Sequence, residues 1–342
     1  TVIARLERLT IKNQLQFVRI EPRITRNDRD LTLDVEWVLS RGERIFVERI
    51  DIEGNTTTLD RVVRNQFKVV EGDPFNPREI RQAAERIRAL GFFEDNVEVN
   101  ARDGSSPDQV IIDVDVTEQP TGSLSLGGSY SINDGFGVAI GLSESNFLGR
   151  GQRLSMTFST AQESESYIIG FTEPYLLGRD LRFDLDFGSA GRESSFASYD
   201  SDRKFFLPAL TFQTGENSSL AVRYSWQRSE MLARDPAEHG PVIGTEIAQG
   251  RQTASSAGFT YAYDSRVTGL NPNAGFLFEV GADYAGLGGD SEYIRSTARA
   301  MAQTKILNEE VVLRATLEGG VLNWRGNNSS RSVNRFVTHP DI

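Results

Sequence analysis

The chain has 342 residues, with 37 Lys+Arg against 48 Asp+Glu, a formal net charge of −11 and an apolar fraction of 38%. No apolar run reaches the about 18 residues that a transmembrane helix needs, and the acidic balance argues against a nucleic-acid binder, which shows a basic face. Zero cysteines exclude disulfides, thiolate zinc sites and cysteine nucleophiles, and His239 and His339 sit in separate polar stretches that do not make a histidine-rich metal site.

Ile3, Leu6 and Leu9, with Arg5, Glu7 and Arg8 between them, predict an amphipathic helix cut at its start. No signal peptide precedes it, so the chain reads as a piece of a longer protein. Residues 17–24 and 31–39 predict two strands around a polar turn at Thr25–Asp30. A second unit then begins. Phe46–Ile52 reads as a strand closed by Gly54-Asn55, and Thr58 or Asp60 is placed to cap a helix over Val62 and Val63. Asn76-Pro77 starts a longer helix over Arg78–Leu90 that Gly91 ends. Strands at Val97–Ala101 and Gln109–Thr117 follow, joined by Asp103-Gly104. The order β-α-α-β-β defines an α+β module over 44–118, and residues 1–43 repeat only its closing helix and two strands.

From Pro120 onward helical periodicity vanishes and alternation takes over. Leu154, Met156 and Phe158 alternate with polar neighbours, as do Leu181, Phe183, Leu185 and Phe187, then Leu220, Val222, Tyr224 and Trp226, then Phe276, Phe278 and Val280. Each segment is close to the length of about 9–11 residues with which a tilted strand crosses a bilayer, and apolar-out, polar-in alternation marks a transmembrane barrel. A soluble β-sandwich or lipocalin-like barrel alternates too. Three features weigh against it: charges recur on the polar face, aromatics gather at segment ends (Phe147, Phe171, Tyr175, Tyr261, Tyr263, Trp324), and connections alternate in length. Short inner turns are expected at Gly149–Gly151, Gly178–Asp180 and Gly215–Asn217, and longer outer loops at Ala190–Arg203 and Glu230–Arg251; the 264–273 connection breaks that rule. Residues 119–342 thus predict eleven antiparallel strands, at roughly 122–131, 135–146, 151–161, 165–174, 179–189, 204–214, 218–229, 252–263, 274–285, 291–305 and 309–323. A polar segment, Arg331–Ile342, follows them. An odd number leaves an open edge, so the barrel is expected to be incomplete within this chain.

Several motifs carry a family resemblance. Glu53-Gly54-Asn55-Thr56, Glu71-Gly72-Asp73-Pro74-Phe75-Asn76 and Leu90-Gly91-Phe92-Phe93 resemble the signature of POTRA modules. Glu118-Gln119-Pro120-Thr121-Gly122-Ser123 joins that module to the first strand of the second part. Asn146-Phe147-Leu148-Gly149-Arg150-Gly151-Gln152 and Phe171-Thr172-Glu173-Pro174-Tyr175-Leu176-Leu177-Gly178 resemble the first barrel turns of the BamA family, which joins POTRA modules to a transmembrane β-barrel. Tyr263-Asp264-Ser265-Arg266 with Asn271-Pro272-Asn273-Ala274-Gly275 resembles a later turn of that family.

The resemblance implies the tail of a penultimate POTRA module, a complete last module, and eleven strands of an expected sixteen, with an Arg-Gly-Phe loop following Ile342. It implies assembly and insertion of outer-membrane β-barrel proteins, without catalysis, cofactor or metal, in the outer membrane with POTRA modules in the periplasm. Implied partners are unfolded β-barrel proteins, accessory lipoproteins of the assembly complex and outer-membrane lipid, with no nucleic acid. The strand Gly122-Ser123-Leu124-Ser125-Leu126-Gly127-Gly128 matches the lateral gate, where a weakly packed edge can open; the competing reading is that its glycines relieve crowding in a curved wall. Edge strands of the last module offer a second place for an incoming chain. Arg64 and Glu71 match positions where the last module meets a lipoprotein partner, against an ordinary solvated charge pair. An enzyme is disfavoured, since neither histidine lies near a nucleophile elbow and no Gly-rich phosphate loop follows a strand. A two-partner secretion translocator is the rival function; a porin would lack the POTRA module.

Overall fold

The structure, a computed structural model, describes residues 18–27, 32–41, 45–131, 135–160, 165–192, 199–233, 240–266, 274–306 and 311–325, together with Ile3, Leu6, Leu9, Thr10 and Asp30. Arg5, Glu7, Arg8, Phe17, Leu31, His239, Asn271-Pro272-Asn273 and the 331–342 segment with His339, all named above, lie outside the described residues. Contacts divide the chain into two units, Thr1–Thr121 with Leu148–Arg150, and Gly122–Phe147 with Gly151–Ile342.

In the first unit Ile3, Leu6 and Leu9 are helical, in line with their spacing. Strands β1 (Val18–Asn27) and β2 (Thr32–Arg41) pair antiparallel as far as Asn27 opposite Thr32. The expected turn is therefore too long: Thr25 and Arg26 are paired strand residues opposite Asp34 and Leu33. Their polar side chains hide strand character on a solvated hairpin tip.

Next come β3 (Phe46–Glu53), α1 (Asp60–Arg64), α2 (Pro77–Ala89), β4 (Glu98–Asp103) and β5 (Gln109–Asp115). The sheet order is β3-β5-β4, with β3 parallel to β5 and β4 antiparallel to it. A parallel pair needs a long crossover, which the two helices provide. Helix α2 forms because the Asn76 side chain accepts from the Arg78 N–H at 3.0 Å and Pro77 presets the first turn. Its buried Ile80, Ala83, Ala84 and Ile87 form one stripe at helical spacing. Ile80, Ala83 and Ile87 of that stripe meet Val47, Ile50, Val63, Phe93, Val97, Ile112 and Val114 in a single core. Removing such an aliphatic side chain costs roughly 2–5 kcal/mol. Helix α1 departs from expectation: Leu59 is its N-cap residue and no side chain caps it. Thr58 instead gives its N–H to Glu118, while Asp60 accepts from Asn55.

The second unit is an antiparallel meander of eleven strands: β6 (Gly122–Ser131), β7 (Gly135–Phe147), β8 (Gln152–Thr160), β9 (Glu165–Glu173), β10 (Leu181–Arg192), β11 (Tyr199–Gly215), β12 (Ser218–Ala233), β13 (Gln252–Asp264), β14 (Gly275–Gly289), β15 (Tyr293–Ile306) and β16 (Val311–Trp324). Each strand pairs with its sequence neighbours, so β6 and β16 are the sheet edges among the described residues. Leu124, Leu126, Phe136, Phe259, Phe276, Phe278 and Leu317 are exposed on one face, the arrangement expected of a lipid-facing wall. The turn motifs are held by their own acidic and amide side chains. Gly151 donates to the Asn146 side chain at 2.8 Å, Tyr175 to Glu173 at 3.0 Å, and Arg266 to Asp264 at 3.0 Å, all through backbone N–H groups.

Two expectations on the outer side change. Strands β10, β11 and β12 run on past the bilayer length, with Arg192 opposite Ser201 and Tyr199 opposite Ala233, so the expected loops are shorter. Helix α3 (Pro241–Ala248) lies in the β12–β13 connection, where the sequence suggested only strands and loops. Its two turns begin with Pro241 after Gly240, too short to carry a periodic signal.

Candidate functional site

Edge strand β6 is built from two unlike faces. Leu124, Leu126 and Tyr130 stand opposite Leu142, Ile140 and Phe136 on the apolar face. On the other face Ser123, Ser125, Gly127, Ser129 and Ser131 stand opposite Ser143, Gly141, Ala139, Gly137 and Gly135. Between the two strands that inner face contains only serine, glycine and alanine, so it holds little beyond the backbone ladder and a Ser125 hydroxyl donating to the Gly141 carbonyl at 3.3 Å. A Cβ at Gly127 would lie 3.9 Å from the Ala139 Cβ, and one at Gly128 would lie 3.9 Å from the Gly137 carbonyl oxygen. Those are ordinary van der Waals distances. Crowding by the described residues does not call for glycine at either position.

Further along the wall the inner face is heavily cross-tied. Arg223, Gly258, Asp283 and Arg295 form one row across β12 to β15. Asp283 is only 6% exposed and receives Arg223 at 2.8 Å and Arg295 at 3.6 Å. Arg223 also donates to the Thr260 hydroxyl at 2.6 Å. The row went unread in the sequence because it exists only once the register of four strands is fixed. Its signal is a glycine on the polar face, flanked in register by opposite charges.

In the POTRA-like module the sequence motifs converge. The Glu118 carboxylate accepts from the Thr56 hydroxyl at 2.7 Å and from the Thr57 and Thr58 N–H groups at 3.0 and 2.6 Å. Gln119 donates its N–H to the Phe92 carbonyl at 3.0 Å and its side chain to the Gly91 carbonyl at 3.1 Å. Burial opposes charge on Glu118, but the donors from Thr58 and Thr56 and the backbone of Thr58 and Thr57 outweigh it and bring the carboxyl down to about 2. The segment around Gly72 covers the outer edge of β3: Gly72 donates to the Val47 carbonyl at 2.7 Å, and Val47 to that of Asp73 at 2.9 Å. Of the two edges of this sheet, β4 is therefore the one without a backbone partner among the described residues.

Arg64 and Glu71 do meet, at 3.1 Å, with both side chains about half exposed. Each is also bound to the backbone of one residue, since Arg64 donates to the Ile50 carbonyl at 2.7 Å and Glu71 accepts the Ile50 N–H at 3.2 Å. The pair thus ties α1 and the Glu71 turn to β3. Among the described residues no group of three or more His, Cys, Asp or Glu side chains is placed to hold a metal ion.

The Omp85 superfamily domain matches residues 146–339, and a POTRA family described as surface antigen variable number repeat matches residues 45–119. The outer membrane protein assembly factor BamA of Nitratidesulfovibrio vulgaris is 26% identical over 311 residues, covering 90% of this chain and 38% of that protein. Sorting and assembly machinery component 50 homolog B of Xenopus laevis is 25% identical over 304 residues, covering 85% of this chain and 63% of that protein. The crystal structure of BamA from Haemophilus ducreyi lacking POTRA domains 1–3 superposes with a TM-score of 0.62 at 20% identity, covering 94% of this chain and 65% of that one. The chain spans less than half the length of the bacterial relative. A POTRA module followed by membrane-spanning strands places the protein in the outer membrane, with the POTRA module in the periplasm. The match over 146–339 is more than half of the chain, which belongs to the Omp85 superfamily.

Proposed function

We propose that this protein folds and inserts other β-barrel proteins in the outer membrane, without covalent chemistry, by lending them the edge of β6. In this reading residues 1–43 close a penultimate POTRA module, 44–118 form the last one, and 119–342 belong to a barrel of sixteen strands. A substrate strand entering hydrocarbon must first satisfy its backbone groups, since each one left unpaired costs several kcal/mol. Strand addition at an exposed edge supplies those bonds. The observation that carries the reading is the β6 inner face, where Ser123, Ser125 and Gly127 give the edge little side-chain packing to hold it shut; no crowding explains Gly127 there, or Gly128 on the apolar face. The assembly roles in the names of the relatives support it. Edge strand β4 is where the module would receive an unfolded chain, because β3 is already covered.

Accessory lipoproteins are proposed to dock at Arg64 and Glu71, which keep half-exposed charge on one surface. The neutral pair Arg64→Gln with Glu71→Gln keeps a donor for the Ile50 carbonyl and an acceptor for the Ile50 N–H but removes the charge offered to a partner. Pull-down of the lipoproteins with the neutralised protein should recover less of them, and undiminished recovery removes the assignment.

The main test joins Leu124→Cys by a disulfide to a cysteine in the closing strand of the full-length protein. Folding of an added β-barrel substrate in proteoliposomes, read by its heat-modifiable migration, should stop in the oxidised protein and return on reduction. Continued assembly while locked overturns the gate. The second reading, a two-partner secretion translocator, rests on the same POTRA-plus-barrel order. It threads its cargo through the lumen, so export would persist under the lock.

A further inference from the structure

On the outward-facing side of the wall, Ser189, Lys204, Arg228 and Thr253 stand in one row on β10 to β13, each directly opposite the next. The row beside it contains Phe187, Phe206, Trp226 and Ser255. On the other side Asp202 stands opposite Glu230. The order across the surface is therefore aromatic, basic, acidic.

The two acids are already engaged: Asp202 accepts from the Ser189 hydroxyl at 3.2 Å, and Glu230 pairs with Arg251 at 3.0 Å. Lys204 and Arg228 are exposed and neither has a carboxylate within ion-pair distance among the described residues. Arg228 lies over the Trp226 ring, 5.5 Å from its centre. Like charges directly opposite each other destabilise a sheet unless something shared compensates them.

The depth of the pair in the membrane follows from chain direction. Strand β6 leaves the periplasmic module, so β10 and β12 also run outward and β11 runs back. Lys204, near the start of β11, and Arg228, near the end of β12, thus lie toward the outer leaflet. They stand two residues beyond Phe206 and Trp226, about 7 Å along the strand. Aromatic rings gather at the headgroup level, and basic side chains just beyond them reach the phosphates.

We infer that Lys204 and Arg228 form a site for the phosphate of an outer-leaflet lipid, with the acyl chains lying along Phe187, Phe206 and Trp226. The guanidinium suits two phosphate oxygens and the ammonium acts as a point charge. The occupant is a lipid and not a free anion because the aromatic row continues directly from the cations, offering a hydrocarbon surface that an inorganic ion would not use.

The test titrates the full-length protein in detergent with diphosphoryl lipid A, read by native mass spectrometry. Parallel arms use the same lipid without its phosphates and inorganic phosphate as competitor. The double variant Lys204→Gln with Arg228→Gln should bind the phosphorylated lipid about ten-fold more weakly. Arg203→Gln, one residue away on the opposite face, should bind as the parent does. Equal binding by the double variant, or by the phosphate-free lipid, overturns the site. Displacement by inorganic phosphate at equal concentration overturns the lipid assignment in favour of a small-anion site. Heat-modifiable migration reports folding of the double variant. If it fails to fold, Lys204→Gln and Arg228→Gln singly should each weaken binding about three-fold, and unchanged binding in both overturns the proposal.

Discussion

Arg223 and Asp283 stand on strands that are not neighbours, and their 2.8 Å ion pair closes directly over Gly258 on the strand between them. A Cβ at position 258 would lie 2.0 Å from the Asp283 Oδ1 and 2.6 Å from the Ala282 carbonyl oxygen. The glycine is thus a window through which one strand grips the next but one. Gly258→Ala should destabilise the folded wall by about 2 kcal/mol or more, through loss of a largely buried pair and displacement of backbone. Arg223→Ala and Asp283→Ala should be non-additive, with a coupling of about 1–3 kcal/mol in a double-mutant cycle. Urea unfolding in detergent, followed by tryptophan fluorescence, measures both.

Glu118 makes the module sensitive to acid. Its folded carboxyl titrates at about 2, below the ordinary value of 4.5, so its bonds to Thr56, Thr57 and Thr58 favour the folded state above pH 4.5. That contribution fades as the pH falls through 4.5 toward 2. Glu118→Gln should cost about 1 kcal/mol at neutral pH, discounted for partial exposure. The difference from the parent should shrink to nothing near the lower limit of that range. Denaturation midpoints at a series of pH values test the sign; a deficit that grows on acidification contradicts it.

Two glycines of the POTRA motifs separate strain from collision. Gly54 and Gly72 both adopt left-handed backbone, at φ +89° and +93°. A Cβ at Gly54 would sit 1.8 Å from the Val116 carbonyl oxygen, whereas one at Gly72 meets nothing within 4 Å. Gly72→Ala should cost only the conformational penalty of about 1–2 kcal/mol. Gly54→Ala must also move β5 or break its end, and its thermal midpoint should fall clearly further.

The gate reading makes a prediction independent of any disulfide. Valine at Gly127 or Gly128 meets no clash at Cβ and favours extended backbone, so each variant should fold and gain up to about 1 kcal/mol of pairing strength. Under the proposed mechanism the same change should slow substrate insertion several-fold in proteoliposomes. Unimpaired insertion by both variants would argue that β6 need not open.

The parts of this fold governed by local pattern were readable in the residues. Eleven alternating segments became eleven strands, and Asn76-Pro77 with Gly91 marked a helix because capping and proline geometry act over a few residues. What escaped depended on distance or on unusual backbone. The tips of β10 and β11, at 190–192 and 199–203, carry little apolar alternation, and Met231-Leu232-Ala233 at the tip of β12 is a continuous apolar run that does not alternate. Leu148 and Leu177 turn the chain at φ +55° and +57°, each followed by Gly-Arg, although bulky side chains disfavour that conformation. Helix α3 was hidden by its brevity. The Arg223–Gly258–Asp283–Arg295 row required the register of strands far apart in sequence. Of the residues matched to function by motif, Arg64 and Glu71 meet, yet their shared hold on Ile50 was not visible from their types.

The uneven stitching of the inner face has a mechanical meaning. From β12 to β15 the inner face is riveted by Arg223, Asp283 and Arg295, one pair of which reaches across a whole strand, while the inner face of β6 and β7 offers only the backbone ladder and small side chains. A sheet joined in this way has a predetermined line of tearing. Lateral tension, whether from a thin bilayer or from a wedging polypeptide, would concentrate at the β6 margin and leave the riveted region undeformed.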